Sequence, residues 1–209
     1  MRPARNARER RPGLRNRWLI AVVMLRGLLA GSSLHAQDGP EKGGHEIQFW
    51  TGGGRSTRGG VRDTGVWNAG FRYGWILTEA HGPSILRGRL ECALDAAPIF
   101  WFFLPGGTAY GAGLSPVVLK WNFDAGSRLV PYIEANLGLV FSSRDVPSVA
   151  WRGNFTSAGA IGTHVLGERG NLSAEIRFLH VSNAGLTVHN PGINTIQVRI
   201  GLGRFFRSN

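Results

Sequence analysis

Cysteine, acidic residues and long apolar runs are all scarce in this chain of 209 residues. The only cysteine is Cys92, which excludes an intrachain disulfide and a cysteine-rich metal site. Beyond residue 36, no apolar stretch approaches the ~20 residues that a membrane-spanning helix needs. The six histidines lack the H-E-x-x-H type of ligand spacing. We therefore expect no structural metal and no cofactor.

The first 36 residues have the features of an export signal. An arginine-rich stretch precedes an apolar segment from Trp18 to Ala30, which is too short to cross a bilayer, and small residues follow up to Ala36. We predict a signal peptide over residues 1–36, cleaved after Ala36, and a single domain over residues 37–209. An uncleaved anchor is the alternative.

This leader carries most of the positive charge. It holds eight of the 24 basic and one of the 13 acidic residues, which leaves 16 basic against 12 acidic residues, or +4, for residues 37–209. The pI of 11.4 would suggest a nucleic-acid partner. Because the excess charge belongs to the predicted signal, we expect no nucleic-acid binding.

Residues 37–209 are rich in glycine and in short runs that alternate apolar with polar side chains, the pattern of strands with one apolar face. Glycine makes up 31 of the 209 residues, about twice the usual ~7%. The alternation predicts eight strands: His45–Gly53, Val66–Thr78, Ile85–Asp95, Tyr110–Phe123, Leu129–Phe141, Asn154–Leu166, Leu172–Ser182 and Asn194–Phe206. The predicted fold is all-β, an eight-stranded antiparallel up-and-down transmembrane barrel, apolar outside and polar inside.

The polar faces of these strands would fill a narrow lumen with ion pairs, because eight strands leave little open bore. The predicted members are Arg72, Arg87, Arg89, Arg177 and Arg199 with Glu91, Glu134 and Glu175.

The predicted connections alternate in length. Thr78–Ser84, Asn122–Arg128 and Gly167–Gly170 are short and would be periplasmic turns, whereas Arg55–Arg62, Asp95–Ala109, Ser142–Gly153 and Asn183–Ile193 are longer and would face outside. The apolar segment Ile99–Leu104 falls in one outer loop. It either packs on the barrel rim or dips into the bilayer interface, and in both cases it could also form a wall of an acyl-chain groove.

A soluble barrel is the alternative fold. The same alternation would then turn its apolar face inward around a ligand, as in a lipocalin-like protein. The aromatic residues near strand ends and the many charged residues on the polar face favour the membrane barrel.

The seventh predicted strand ends in a polar cluster on its apolar face. His180 and Ser182 continue the face formed by Leu172, Ala174, Ile176 and Phe178. Asn194 begins the next strand on the same face and can reach His180. A serine nucleophile needs a base within hydrogen-bond distance and a third group that orients the base, and these three side chains meet that requirement.

The segment from Glu175 to Ala184, followed by residues 189–195 (His-Asn-Pro-Gly-Ile-Asn-Thr), resembles the lipid A 3-O-deacylase family of outer-membrane enzymes. The resemblance implies an eight-stranded barrel with a Ser-His-acid site on its lipid-facing surface. It implies that Ser182 is the nucleophile, His180 the general base and acid, and Asn183 a donor to the oxyanion. The implied substrate is lipid A or lipopolysaccharide in the outer leaflet of the outer membrane.

One residue departs from the family pattern. The acid of the best-known members is a glutamate fourteen positions after the histidine, and Asn194 occupies that position here. Asparagine can hold a histidine tautomer but offers no charge to the imidazolium. We therefore expect either an esterase that removes an acyl chain from lipid A, or a catalytically impaired structural or lipid-binding barrel. A homodimer is compatible with this plan, although the sequence carries no interface signature.

Overall fold

The computed structural model describes residues 39–147, 151–188 and 190–207. The predicted signal peptide and His189 lie outside the described residues. Eight strands pair in sequence order and close into a barrel, because β1 pairs with both β2 and β8. The strands are β1 (Gly44–Ser56), β2 (Gly65–Ile76), β3 (Gly88–Leu104), β4 (Gly107–Phe123), β5 (Leu129–Ser142), β6 (Gly153–Leu166), β7 (Asn171–Ser182) and β8 (Ile193–Arg207). Each neighbouring pair is antiparallel.

The predicted fold class is therefore confirmed, and the predicted strands match in number and order. The largest difference lies in β3, which continues through the predicted outer loop Asp95–Ala109 to Leu104. Only Pro105 and Gly106 connect it to β4. The prediction of a long loop here was wrong, because Phe103 pairs with Thr108 across a tight hairpin.

The apolar segment Ile99–Leu104 accordingly lies in a strand. Its residues alternate, so Trp101 and Phe103 face outward and Phe100 and Phe102 face inward. Since β3 and β7 are four strands apart in an eight-stranded barrel, this segment lies across the barrel from His180. It cannot form a wall of a groove at that residue.

The outer surface of the barrel is apolar. Large side chains that are more than a third exposed follow one face of every strand, among them Phe71 on β2, Leu137 on β5 and Ile176 on β7. Pro116, which is unfavourable within a paired strand, lies where the register of β4 against β5 shifts between Leu114 and Val117. The large apolar side chains follow the outward faces, and charged groups are buried in the middle of the interior, so the soluble-barrel alternative is wrong.

Buried ion pairs fill the middle of the barrel interior. Arg72 lies 2.7 Å from Asp95 and 2.6 Å from Glu134. Arg199 also pairs with Asp95, at 3.2 Å. These groups lie on β2, β3, β5 and β8, so the network ties non-adjacent strands together across the barrel. A second group centres on Lys120, which binds Glu46 and Glu91.

Of the arginines predicted to face inward, Arg87 lies outside the strands, whereas Arg89 shares a face of β3 with the buried Glu91 and is 22% exposed. Arg87 precedes β3 and Arg89 lies at its start, and both pair with Asp124, at 3.4 Å and 3.5 Å. The Arg87 side chain is 53% exposed. These pairs join the connection after β4 to the start of β3 at one end of the barrel.

An apolar cluster fills the interior at the other end. Phe100 and Phe102 from β3 pack there with Trp50 and with three residues of the site strands. The cluster consists of Trp50, Val66, Ala97, Phe100, Phe102, Ala109, Val140, Val146, Leu179, Val181 and Ile193. We call it the apolar plug. It was not predicted from the sequence.

The two ends of the barrel carry different connections. The end that contains the apolar plug, which we call the loop end, carries residues 57–64, 105–106, 143–147, 151–152, 183–188 and 190–192. The opposite turn end carries residues 77–87, 124–128 and 167–170. Ser84–Leu86 form a 3₁₀ turn at the turn end. Among the described residues, no helix is long and apolar enough to cross a membrane.

Candidate active site

The candidate site lies at the loop end of β7, where two polar side chains replace the apolar ones of the outer face. Leu172 to Phe178 alternate as predicted, with Glu175 and Arg177 buried inside. His180 and Ser182 continue the outward positions and are partly exposed. Glu175 therefore cannot reach His180, because its side chain points into the barrel and binds Tyr132.

Strand pairing brings the third residue beside them. Asn194 on β8 is the register partner of His180 on β7. Its Oδ1 lies 2.6 Å from His180 Nδ1, and His180 Nε2 lies 2.9 Å from Ser182 Oγ. The two ring nitrogens thus have different partners, and a chain of hydrogen bonds runs from Asn194 through His180 to Ser182. Such a chain has the geometry of a nucleophile, a base and an orienting group.

The inward side chains of the same strand ends are fixed in the apolar plug. Leu179 and Val181 on β7 and Ile193 on β8 alternate with the site residues and are at most 3% exposed. Because their neighbours in the plug come from all of β1 to β5, the site strands are held by packing across the barrel. This support limits movement of the backbone that carries His180, Ser182 and Asn194.

The loop between β1 and β2 packs against Asn194. Asn194 Nδ2 donates to the carbonyl oxygen of Arg58 at 3.3 Å, and the Thr57 amide donates to the Asn194 carbonyl at 2.8 Å. The Val61 amide donates to the Gly192 carbonyl at 3.0 Å. Gly59, with φ of +87°, makes the close approach possible, because a Cβ there would lie 3.1 Å from Asn194 Nδ2.

Asn183 follows Ser182 and is fully buried. Its Oδ1 accepts from the Gly185 amide at 2.9 Å, and its Nδ2 donates to Thr187 Oγ1 at 2.6 Å. Its backbone amide donates to Asn190 Oδ1 at 3.2 Å. Asn183 therefore organises the loop after β7. Its side-chain amide belongs to the residue that directly follows Ser182.

A groove on the outer surface begins beside the site. It has a volume of about 400 Å³ and crosses the outward faces of β4 to β7. Small residues, among them Ser157 and Gly159 on β6 and Ala135 on β5, lie between larger apolar ones such as Phe178 and Leu137. Ser157 is the register partner of His180, so the groove starts one strand away from the imidazole.

Sequence reasoning missed the groove and the contact with Arg58. The signal for the groove was present, since residues 157–160 read Ser-Ala-Gly-Ala and leave this part of the outward face of β6 without bulk. The contact between Asn194 and Arg58 spans 136 positions and has no local signal.

The chain is similar to known outer-membrane proteins. A family model described as lipid A 3-O-deacylase (PagL) matches residues 56–203. The crystal structure of the outer membrane enzyme PagL is similar with a TM-score of 0.55 at 20% sequence identity, covering 74% of this chain and 97% of that chain. The outer membrane protein OprG from Pseudomonas aeruginosa is similar with a TM-score of 0.53 at 12% identity, covering 81% and 99%. No curated protein matches the chain significantly.

Proposed function

The chain belongs to the lipid A 3-O-deacylase family, whose model matches most of its length, and we propose that it removes an ester-linked acyl chain from lipid A in the outer leaflet. The observation that carries this proposal is the hydrogen-bond chain from Asn194 through His180 to Ser182 on the lipid-facing surface. A hydrolase acting on a membrane lipid needs its nucleophile on that surface, near the bilayer boundary. The loop end of the barrel would then face outside.

Ser182 would act as the nucleophile. Its Oγ attacks the ester carbonyl carbon while His180 Nε2 takes the hydroxyl proton. His180 then gives this proton to the departing sugar oxygen as the carbon–oxygen bond breaks, leaving an acyl-enzyme. Water, activated by the same nitrogen, cleaves the acyl-enzyme and releases a free fatty acid. The reaction requires no cofactor.

Asn194 would hold His180 in the productive tautomer. With Oδ1 as the partner of Nδ1, the ring proton resides on Nδ1 and leaves Nε2 as a base for Ser182. Asn183 would stabilise the oxyanion of the tetrahedral intermediate through its amide. The hydrogen bond from its Nδ2 to Thr187 Oγ1 fixes the orientation of this side-chain amide.

Two further features suit lipid A. The groove of about 400 Å³ beside His180 is apolar and open to the bilayer, as an acyl-chain site requires. Arg55, Arg58 and Arg62 are exposed on or next to the neighbouring loop. Guanidinium groups bind phosphate with paired hydrogen bonds, and lipid A is a phosphorylated glycolipid.

Mass spectrometry of lipid A tests the proposal. Cells that produce the wild-type protein should contain lipid A lighter by one acyl chain, and Ser182→Ala should abolish this change. Ser127→Ala is the matched control, because Ser127 lies at the turn end and binds only Leu129 among the described residues. If wild type and Ser182→Ala give the same lipid A profile, while both proteins are folded in the outer membrane, catalysis by Ser182 is excluded.

The second candidate function is that of a structural or lipid-binding barrel with impaired catalysis. The observation that favours it is Asn194, which supplies no negative charge to the imidazolium. In a serine protease the corresponding acid-to-amide change lowers the rate by about 10⁴. Replacement of Asn194 by glutamate separates the two candidates, because only an impaired site would gain a large factor in rate from the added charge.

A further inference from the structure

The uncharged residue at position 194 raises a problem of orientation. A carboxylate presents an acceptor oxygen to histidine whichever way it turns, whereas an amide has one acceptor end and one donor end of nearly the same shape. If the amide of Asn194 turned over, its nitrogen would donate to His180 Nδ1. The ring proton would then reside on Nε2, which could no longer accept the proton of Ser182.

The β1–β2 loop supplies a partner that distinguishes the two orientations. The carbonyl oxygen of Arg58 lies 3.3 Å from Asn194 Nδ2 and can only accept a hydrogen bond. In the turned-over orientation Oδ1 would face this carbonyl, so two acceptors would meet without a proton between them. Asn194 Oδ1 is thereby held 2.6 Å from His180 Nδ1, and only the tautomer that carries the ring proton on Nδ1 can donate to it.

The loop is itself tied to the site strand. The Thr57 amide donates to the backbone carbonyl of Asn194, and the Val61 amide donates to that of Gly192. Gly59 and Gly60 allow the loop to lie this close, since a Cβ on Gly60 would be 3.0 Å from the backbone nitrogen of Asn194. The position of the Arg58 carbonyl is thus set relative to the residue it contacts.

We propose that the carbonyl of Arg58 is a positioning group that orients the Asn194 amide and so allows an uncharged residue to hold His180 in its catalytic tautomer. This proposal rests on the proposed function. It assigns to the β1–β2 loop a role that would be superfluous in a site with a carboxylate at position 194.

The test compares the same loop change with an amide and with a carboxylate at position 194. Gly59→Ala introduces a Cβ 3.1 Å from Asn194 Nδ2 at a φ that L residues rarely adopt, so it displaces the Arg58 carbonyl. We expect kcat to fall about 10-fold or more with KM little changed, because the amide loses its preferred orientation. In the Asn194→Asp background, the same loop change should alter kcat less than about 3-fold, because either carboxylate oxygen can accept from Nδ1.

Gly106→Ala is the matched control for a glycine in a loop, because a Cβ there meets nothing within 4 Å. It should leave kcat unchanged in both backgrounds. Equal losses from Gly59→Ala in the wild-type and Asn194→Asp backgrounds would overturn the proposal, as would an unchanged kcat in the wild-type background. Either result would show that the loop acts on stability or on substrate access alone.

A second measurement does not depend on turnover. Nitrogen-15 NMR of the histidine-labelled protein in detergent, assigned by comparison with His180→Ala, reports which ring nitrogen carries the proton. We expect the Nδ1–H tautomer in the wild type and a mixture in Gly59→Ala. An unchanged Nδ1–H tautomer in folded Gly59→Ala would contradict the proposal. If Ser182→Ala leaves lipid A cleavage intact, the proposed function fails while this tautomer measurement remains a separate result.

Discussion

Ser157 on β6 is the register partner of His180 on β7, and its side chain lies in the floor of the groove that crosses β4 to β7. A lipid whose ester carbonyl lies at Ser182 would therefore have the start of its acyl chain at the end of this groove nearest His180. The groove opens on β6 because Ser157 and Gly159 are small residues on the outward face there. This arrangement connects the geometry of the site with the shape of a lipid substrate.

Filling the groove should change the preference for acyl-chain length. We expect Gly159→Leu to lower kcat/KM for long acyl esters about 10-fold or more and to affect short ones little, because the leucine occupies the space of the distal methylenes. A Cβ at position 159 meets only the Glu134 carbonyl oxygen, at 3.9 Å, so the backbone accommodates the change. Rates with lipid substrates of graded chain length, measured in detergent micelles, test this expectation.

Ala69→Leu is the control for this variant. Ala69 is a small outward residue on β2, four strands from β6, and pairs with Ile99. It should leave the length preference unchanged. A uniform loss for short and long chains in Gly159→Leu would show that the groove does not hold the acyl chain.

Restoring a carboxylate at position 194 should have a small effect. We expect Asn194→Glu to change kcat less than about 10-fold, because the site is built around an amide that binds His180 on one side and the Arg58 carbonyl on the other. The kinetics of ester hydrolysis by purified wild type and variant provide the measurement. A gain of about 10³ or more would instead show that the natural protein is impaired, as the second candidate function requires.

Removing the Asn183 amide should slow the chemical step. If this amide binds the oxyanion, Asn183→Ala lowers kcat by about 10²–10³ with KM little changed. Asn190→Ala is the control, because Asn190 accepts from the backbone amide of Asn183 and holds the same loop. Similar losses in both variants would indicate that Asn183 acts only by organising residues 183–187.

Much of the fold could be predicted because lipid outside and polar groups inside impose alternation on every strand. The run from Trp67 to Trp75 on β2 shows this clearly, and the observed strand differs from the predicted one by only one or two residues at each end. The same pattern located His180 and Ser182, because residues i and i+2 share a face of one strand.

The second half of β3 was missed for a physical reason. The apolar plug makes the interior apolar at the loop end, so Phe100 and Phe102 face inward while Trp101 and Phe103 face outward. Alternation therefore disappears from the sequence although the backbone remains extended. An irregularity between Ala97 and Phe100 shifts the register as well.

Of the two side-chain contacts of Asn194, one was predictable from the sequence and one was not. Its approach to His180 follows from adjacent strands and was predicted. Its approach to Arg58 depends on barrel closure between β8 and β1, which joins the two ends of the domain. Contacts made by closure leave no periodic signal in either segment.

Breaking the buried network should destabilise the barrel. Arg72 lies between Asp95 and Glu134, and all three side chains are at most 4% exposed. We expect Arg72→Met to lower the free energy of unfolding by about 3–5 kcal/mol, because it leaves two carboxylates buried without their main counter-charge. Urea unfolding in detergent, followed by the altered mobility of the folded barrel on gels, measures this loss.

Arg87→Met separates this effect from a general loss of charge. Arg87 pairs with Asp124 at 3.4 Å, but its side chain is 53% exposed, so the pair is screened by solvent. We expect a change of about 0–1 kcal/mol. If Arg72→Met were as mild as Arg87→Met, the interior pairs would contribute little to stability, and the apolar plug with the closed hydrogen-bonded sheet would have to hold the barrel and its site strands in place.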